Sequence, residues 1–226
     1  MSFTRLFQMI NLSLKSIKNS LTKSLSLTPK PNVSKKALVV IILAALCLVF
    51  IRYLTGFDRL VSFLEVIHLD SLGNYFTELR NNTHDKQLFD LIYWTACRVF
   101  FYLIIPVLVI KIFMKKRMSD FGWRLSDNLN KDLKIFVVFF CFMFPLVFWV
   151  STQDSFLLKY PFYRPASAEQ VFPNLLIWEL FYFLQFVSLE FFFRGFVVHG
   201  LKEEIGDYSV LVMIIPYCMI HFQKPF

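Results

Sequence analysis

Charge is what this chain has least of. Asp, Glu, Lys and Arg make up 18% of its 226 residues, and glycine occurs only six times. Soluble domains carry about 25% charged and about 45–50% apolar residues. Here the apolar share is 57%, with 29 phenylalanines. The scarcity of glycine and the modest nine prolines exclude collagen-like and low-complexity readings. The four cysteines form no C-x-x-C, and neither a zinc-finger spacing nor H-E-x-x-H occurs. Cys47, Cys97, Cys141 and Cys218 lie in or beside apolar runs and read as buried small hydrophobes. The net charge is +8. With no nucleic-acid motif present, that excess points to loops and lipid headgroups, and no nucleic-acid partner is expected.

Acids are missing altogether from residues 1–36, which hold Arg5 and six lysines. Phe3, Leu6, Phe7, Ile10, Leu14, Ile17 and Leu21 recur at a helical period. The pattern predicts a basic amphipathic helix lying on a membrane surface, ended by Pro29 and Pro31. A mitochondrial transit peptide has the same signature and stands as the alternative. A cleavable secretory signal fits poorly, because the apolar residues are spaced rather than contiguous.

From residue 37 onward the chain reads as one membrane-embedded helical domain. Apolar runs over 37–54, 92–113, 135–150, 174–198 and 208–222 predict about five spans, hence an all-α polytopic transmembrane bundle. The mixed stretch 55–91 reads as an extramembrane loop with a short amphipathic helix near 60–68. Basic residues dominate the N-terminus and the 111–134 loop, while 55–91 is acidic, so the positive-inside rule puts the N-terminus in the cytoplasm. A bacterial inner membrane suits that topology.

Two runs carry ionisable residues at depth. Glu190 and Arg194 lie within WELFYFLQFVSLEFFFRGFVVH, and His221 within YCMIHF. Such residues are costly in lipid and mark functional sites by default. Spaced by four, Glu190 and Arg194 share one face of an α-helix. Burial disfavours a charged carboxylate and a nearby guanidinium favours it, a balance that suits a general base. Pro216, five residues before His221, frees a carbonyl and bends its helix. His199, nine residues after Glu190, is placed about 180° round an α-helix, facing away. Glu179 falls near the opposite surface, and Arg98 is expected to snorkel or pair. One Glu and one His do not by themselves make a zinc site.

These residues resemble a family. The stretch Leu189-Glu190-Phe191-Phe192-Phe193-Arg194-Gly195, followed by Tyr217-Cys218-Met219-Ile220-His221, looks like the first two motifs of the CPBP intramembrane proteases, E-E-x-x-x-R and F-x-x-x-H. This is the CAAX-processing and bacteriocin-processing (Abi) group. The resemblance covers residues 174–226. Leu189 stands where the family has its first Glu, Tyr217 stands for Phe, and the third motif, H-x-x-x-N or H-x-x-x-D, does not appear. The chain is expected to be the front part of a longer protein. The resemblance implies an intramembrane endopeptidase acting on peptide or prenylated-protein substrates among membrane lipids. In that reading Glu190 is the base or a ligand, His221 assists it or stabilises the oxyanion, and Arg194 orients the carboxylate. Zinc or another divalent metal, held by Glu190 and His221, takes part or is not needed. A non-catalytic scaffold or immunity-type relative is the alternative, and a transporter using Glu190 and Arg194 as a relay is a third.

Overall fold

Every regular element is helical in the computed structural model, which describes Lys15, residues 34–124 and residues 128–221. The chain divides into residues 1–35 and residues 36–226. The amphipathic helix expected over the basic N-terminus lies outside the described residues, apart from Lys15 and the last three positions.

Helix α1, Lys35–Leu54, has neither glycine nor proline and ends before Gly56. At about 1.5 Å per residue its 20 residues rise about 30 Å, one hydrocarbon thickness. Beyond the Gly56 turn come α2, Phe57–Val66, and α3, Asp70–Asn81. The 55–91 stretch is therefore two short helices and a helix start, not a loop with a single short helix near 60–68. Helix α2 buries Phe57 and Leu64 and turns Asp58, Ser62 and Glu65 outward. Gly73 is buried where α3 packs on α2, and a Cβ there would make an ordinary contact with Val61 Cγ1 at 3.6 Å. Arg80 then ties α3 to both neighbours, reaching Asp58 at 3.4 Å and Asp90 at 2.6 Å.

Helix α4 runs through Lys86–Phe113. Asp85 caps it, accepting from the Leu88 amide at 2.9 Å. Pro106 cannot donate to a preceding carbonyl, and the helix opens into π turns on either side of it, at Phe100–Ile104 and Val109–Phe113. Helix α5, Leu129–Ser151, carries Pro145 and has no buried residue. Helix α6, Val171–Ile205, is kinked at Phe172 and contains a nine-residue π segment, Phe191–His199. Helix α7 is Tyr208–Met219.

Four helices among the described residues, α1, α4, α5 and α6, are long and apolar enough to cross a membrane. The chain is a membrane protein on that ground. The fifth apolar run forms the 12-residue helix α7, which rises only about 18 Å and falls short of a full crossing.

The core gathers around the π segment of α6. Phe192, Phe193 and Phe196 are fully enclosed. The Tyr102 ring of α4 lies 4.9 Å from Phe192 and 6.0 Å from Phe193, while Val40 and Cys47 of α1 close the other side. A second cluster centres on Leu88, Tyr163 and Trp178. It is held by Asp85, whose carboxylate accepts from Tyr163 Oη at 2.6 Å and from Asn174 Nδ2 at 3.2 Å. Burial pushes the Asp85 carboxyl up, but these donors and two backbone amides outweigh it and hold the group below its ordinary value. The cysteines divide. Cys47 is buried, but Cys141 and Cys218 are exposed on helix faces, where a small apolar side chain meets lipid as readily as core.

Candidate functional site

Glu190 is the last residue of the α-helical part of α6, and Arg194 lies one turn on, inside the π segment. Their side chains meet, with Arg194 Nε 2.7 Å from Glu190 Oε2. The second carboxylate oxygen accepts a hydrogen bond from Tyr217 Oη of α7 at 3.3 Å. Two donors from two helices therefore fix the carboxylate. The pair is not sealed: the Glu190 side chain is 41% exposed and that of Arg194 69%. The pair is less enclosed than the sequence implied, because this face of α6 opens onto a cavity rather than into packed core.

That cavity is about 590 Å³. Glu190, Arg194 and His199 line one side, and Gly122, Trp123 and Arg124 the other. The α4–α5 connection brings the second group in. A 3₁₀ turn, Met118–Phe121, ends at Gly122, whose φ of 81° is left-handed. A Cβ on Gly122 would stand 3.0 Å from His199 Nε2. Gly195 permits the contact from the helix side, since a Cβ there would meet the Phe121 carbonyl oxygen at 2.8 Å. Trp123 then packs edge-on against Phe191 at 5.3 Å.

His199 thus faces the same cavity as Glu190, not away from it. The reason is the π segment. Bonds from i to i+5 widen each turn to roughly four to five residues, so nine residues make about two turns and return to the same face. No residue pattern in the stretch announces that change of pitch, and an α-helical count misplaces the histidine.

His221 sits just past the end of α7 and does not line this cavity. It is joined to Glu190 through Tyr217. The imidazole lies 4.9 Å from the Tyr217 ring, and its Nδ1 is 2.8 Å from the Tyr217 carbonyl oxygen. If Nδ1 carries the proton it donates to that carbonyl, which leaves Nε2 as the acceptor. Glu190, Arg194 and His221 therefore belong to one chain of contacts, with Tyr217 in the middle. Leu189 turns the other way, into the core, at 6% exposure. Glu179 is exposed on α6, a full helical stretch from the cavity.

The donor set does not fit a metal ion by itself. Among the described residues no group of three or more His, Cys, Asp or Glu converges anywhere. At this site Arg194 and Tyr217 already engage both oxygens of Glu190. No step below runs through a metal.

Arg98 makes no ion pair among the described residues. Its guanidinium lies 4.0 Å over the Trp94 ring, within α4 itself.

Comparison of the chain with family models, curated proteins and solved structures finds no match.

Proposed function

We propose that this protein is a CPBP-type intramembrane endopeptidase in which Glu190 activates water against a peptide carbonyl. The observation that carries the reading is the grip on one carboxylate: Glu190 is held by Arg194 and by Tyr217 at the wall of a cavity large enough for a peptide segment. A base needs a fixed direction and room for water beside it, and Glu190 has both. In the proposed step a water in the cavity gives its proton to Glu190 while its oxygen attacks the carbonyl carbon. The imidazole of His199, which lines the cavity, is the available donor to the developing oxyanion, while His221 supports Glu190 through Tyr217. Glu190 then returns the proton to the leaving amine. The substrate class is a peptide or a prenylated protein delivered from the bilayer, and a bacterial inner membrane with the N-terminus in the cytoplasm is the setting that the loop charges favour.

One observation favours a second reading, a non-catalytic scaffold or immunity-type relative. Leu189 occupies the place of the family's first glutamate and is packed in the core, so Glu190 works without an adjacent acid. The test is cleavage of a lipid-embedded fluorogenic peptide by the purified protein in liposomes. The enzyme reading expects Glu190→Gln to lower the rate by at least about a hundredfold, the usual scale of general-base loss. Undiminished cleavage by the variant removes Glu190 from the mechanism, and no cleavage by the native protein favours the scaffold.

A further inference from the structure

A second cavity, about 500 Å³, opens between α1, α2, α4 and α7 and shares no lining residue with the first. Three arginines line it: Arg52 from the last turn of α1, Arg59 from α2 and Arg98 from α4. No acid lines it. Among the described residues the ion pairs involve Lys36, Arg80 and Arg194, so none of the three arginines is neutralised by a carboxylate. Asp58 and Asp90, which line a neighbouring cavity, are both engaged by Arg80.

Two of the three side chains are anchored. Arg59 Nη1 donates to the Arg52 carbonyl oxygen at 2.8 Å. Arg98 is pinned on Trp94, and its Nε is buried without a hydrogen-bond partner. A buried donor left unmatched is costly, and like charges lining one cavity repel. Both costs fall away if an anion sits among them. Arginine forks match the oxygens of a phosphate group, which can take several donors at once, whereas a single carboxylate fills one fork.

The surroundings match a headgroup. The cavity lies where α1 ends and α2 begins. The α2–α3 pair exposes Phe63, Val66, Ile67, Leu69 and Leu72, an apolar face of the kind that suits a lipid interface. Basic pockets between transmembrane helices bind anionic headgroups on this principle. We propose that the cavity of Arg52, Arg59 and Arg98 binds a phosphate group, supplied by an anionic phospholipid or by free phosphate.

The experiment uses the full chain in a neutral detergent, titrated separately with phosphatidylglycerol, phosphatidylcholine and inorganic phosphate. Bound lipid is counted by native mass spectrometry, and thermal unfolding is followed in parallel. The expected result is that phosphatidylglycerol or inorganic phosphate binds at least about tenfold more tightly than phosphatidylcholine, and the tighter of the two identifies the source. Loss of charge-assisted hydrogen bonds should weaken that binding by about tenfold or more in Arg98→Gln and in the Arg52→Gln/Arg59→Gln double variant. The double variant changes only exposed side chains, so it reports on binding if Arg98→Gln fails to fold. Equal binding of all three ligands, or native affinity in the folded variants, overturns the proposal.

Discussion

The hydroxyl of Tyr217 stands 3.3 Å from Glu190 Oε1 and ties the end of α7 to the middle of α6. The bond aims the carboxylate as well as joining the helices. Tyr217→Phe keeps the ring that packs on Phe193 and removes the hydroxyl. Peptide cleavage should fall about tenfold, the scale of one hydrogen bond to a charged group. The melting temperature should change little, because the pair is open to the cavity. A large loss of stability with unchanged cleavage per folded molecule would make Tyr217 a packing residue only.

Arg194 offers a sharper test of orientation. Its Nε approaches Glu190 Oε2 at 2.7 Å. Lysine carries the charge but cannot present a planar fork. Arg194→Lys should therefore lose most of the cleavage rate while folding normally, and Arg194→Gln should lose no more than that. A fully active lysine variant would show that charge alone suffices.

Close approach at Gly195 sets the shape of the cavity. A methyl group there would meet the Phe121 carbonyl oxygen at 2.8 Å and Phe191 Cδ2 at 2.9 Å. Backbone oxygen cannot swing aside as a flexible side chain can. Gly195→Ala should destabilise the protein by about 1–3 kcal/mol, as overpacking does, and push Trp123 away from Phe191. Thermal unfolding in detergent and Trp fluorescence report the two effects. A variant as stable as the parent would contradict the packing described.

Asp85 carries the pH dependence. Its folded-state carboxyl is held below the ordinary value by Tyr163, Asn174 and two amides acting against burial. A depressed folded value means that the stabilisation is complete above the unfolded value, about 3.9, and is lost as pH falls through the lower folded value. Asp85→Ala should lower stability by about 1 kcal/mol near neutral pH, the usual worth of an N-cap. The gap between parent and variant should close in acid below about pH 4. Thermal unfolding across that range checks both statements. A gap that widens in acid would contradict the sign.

The membrane helices were legible because length and hydropathy alone specify them. The first span matches its expected end at Leu54, and the second extends only as far back as its Asp85 cap. What periodicity could not reveal lay in two places. The 55–91 stretch is rich in charge, yet its apolar residues stack on one side once α2 and α3 pack together, a tertiary effect. In α6, hydrophobic residues surround the helix on every side, so no stripe betrays the change from α to π pitch. His199 was misplaced for that reason alone. Glu190 and Arg194 were read correctly as partners because their spacing brings them together at either pitch. Tyr217 appeared in the sequence only as a substituted motif position, and its hydrogen bond to Glu190 depends on how α7 docks.

Heavy-oxygen water tests the central claim most directly. The protein is reconstituted in liposomes with a membrane peptide, and the products are weighed by mass spectrometry in that water. The account predicts cleavage with one heavy oxygen in each new carboxyl terminus, and no products from Glu190→Gln. Products that form equally in the Glu190→Gln variant, or a native protein that never cuts, would contradict it.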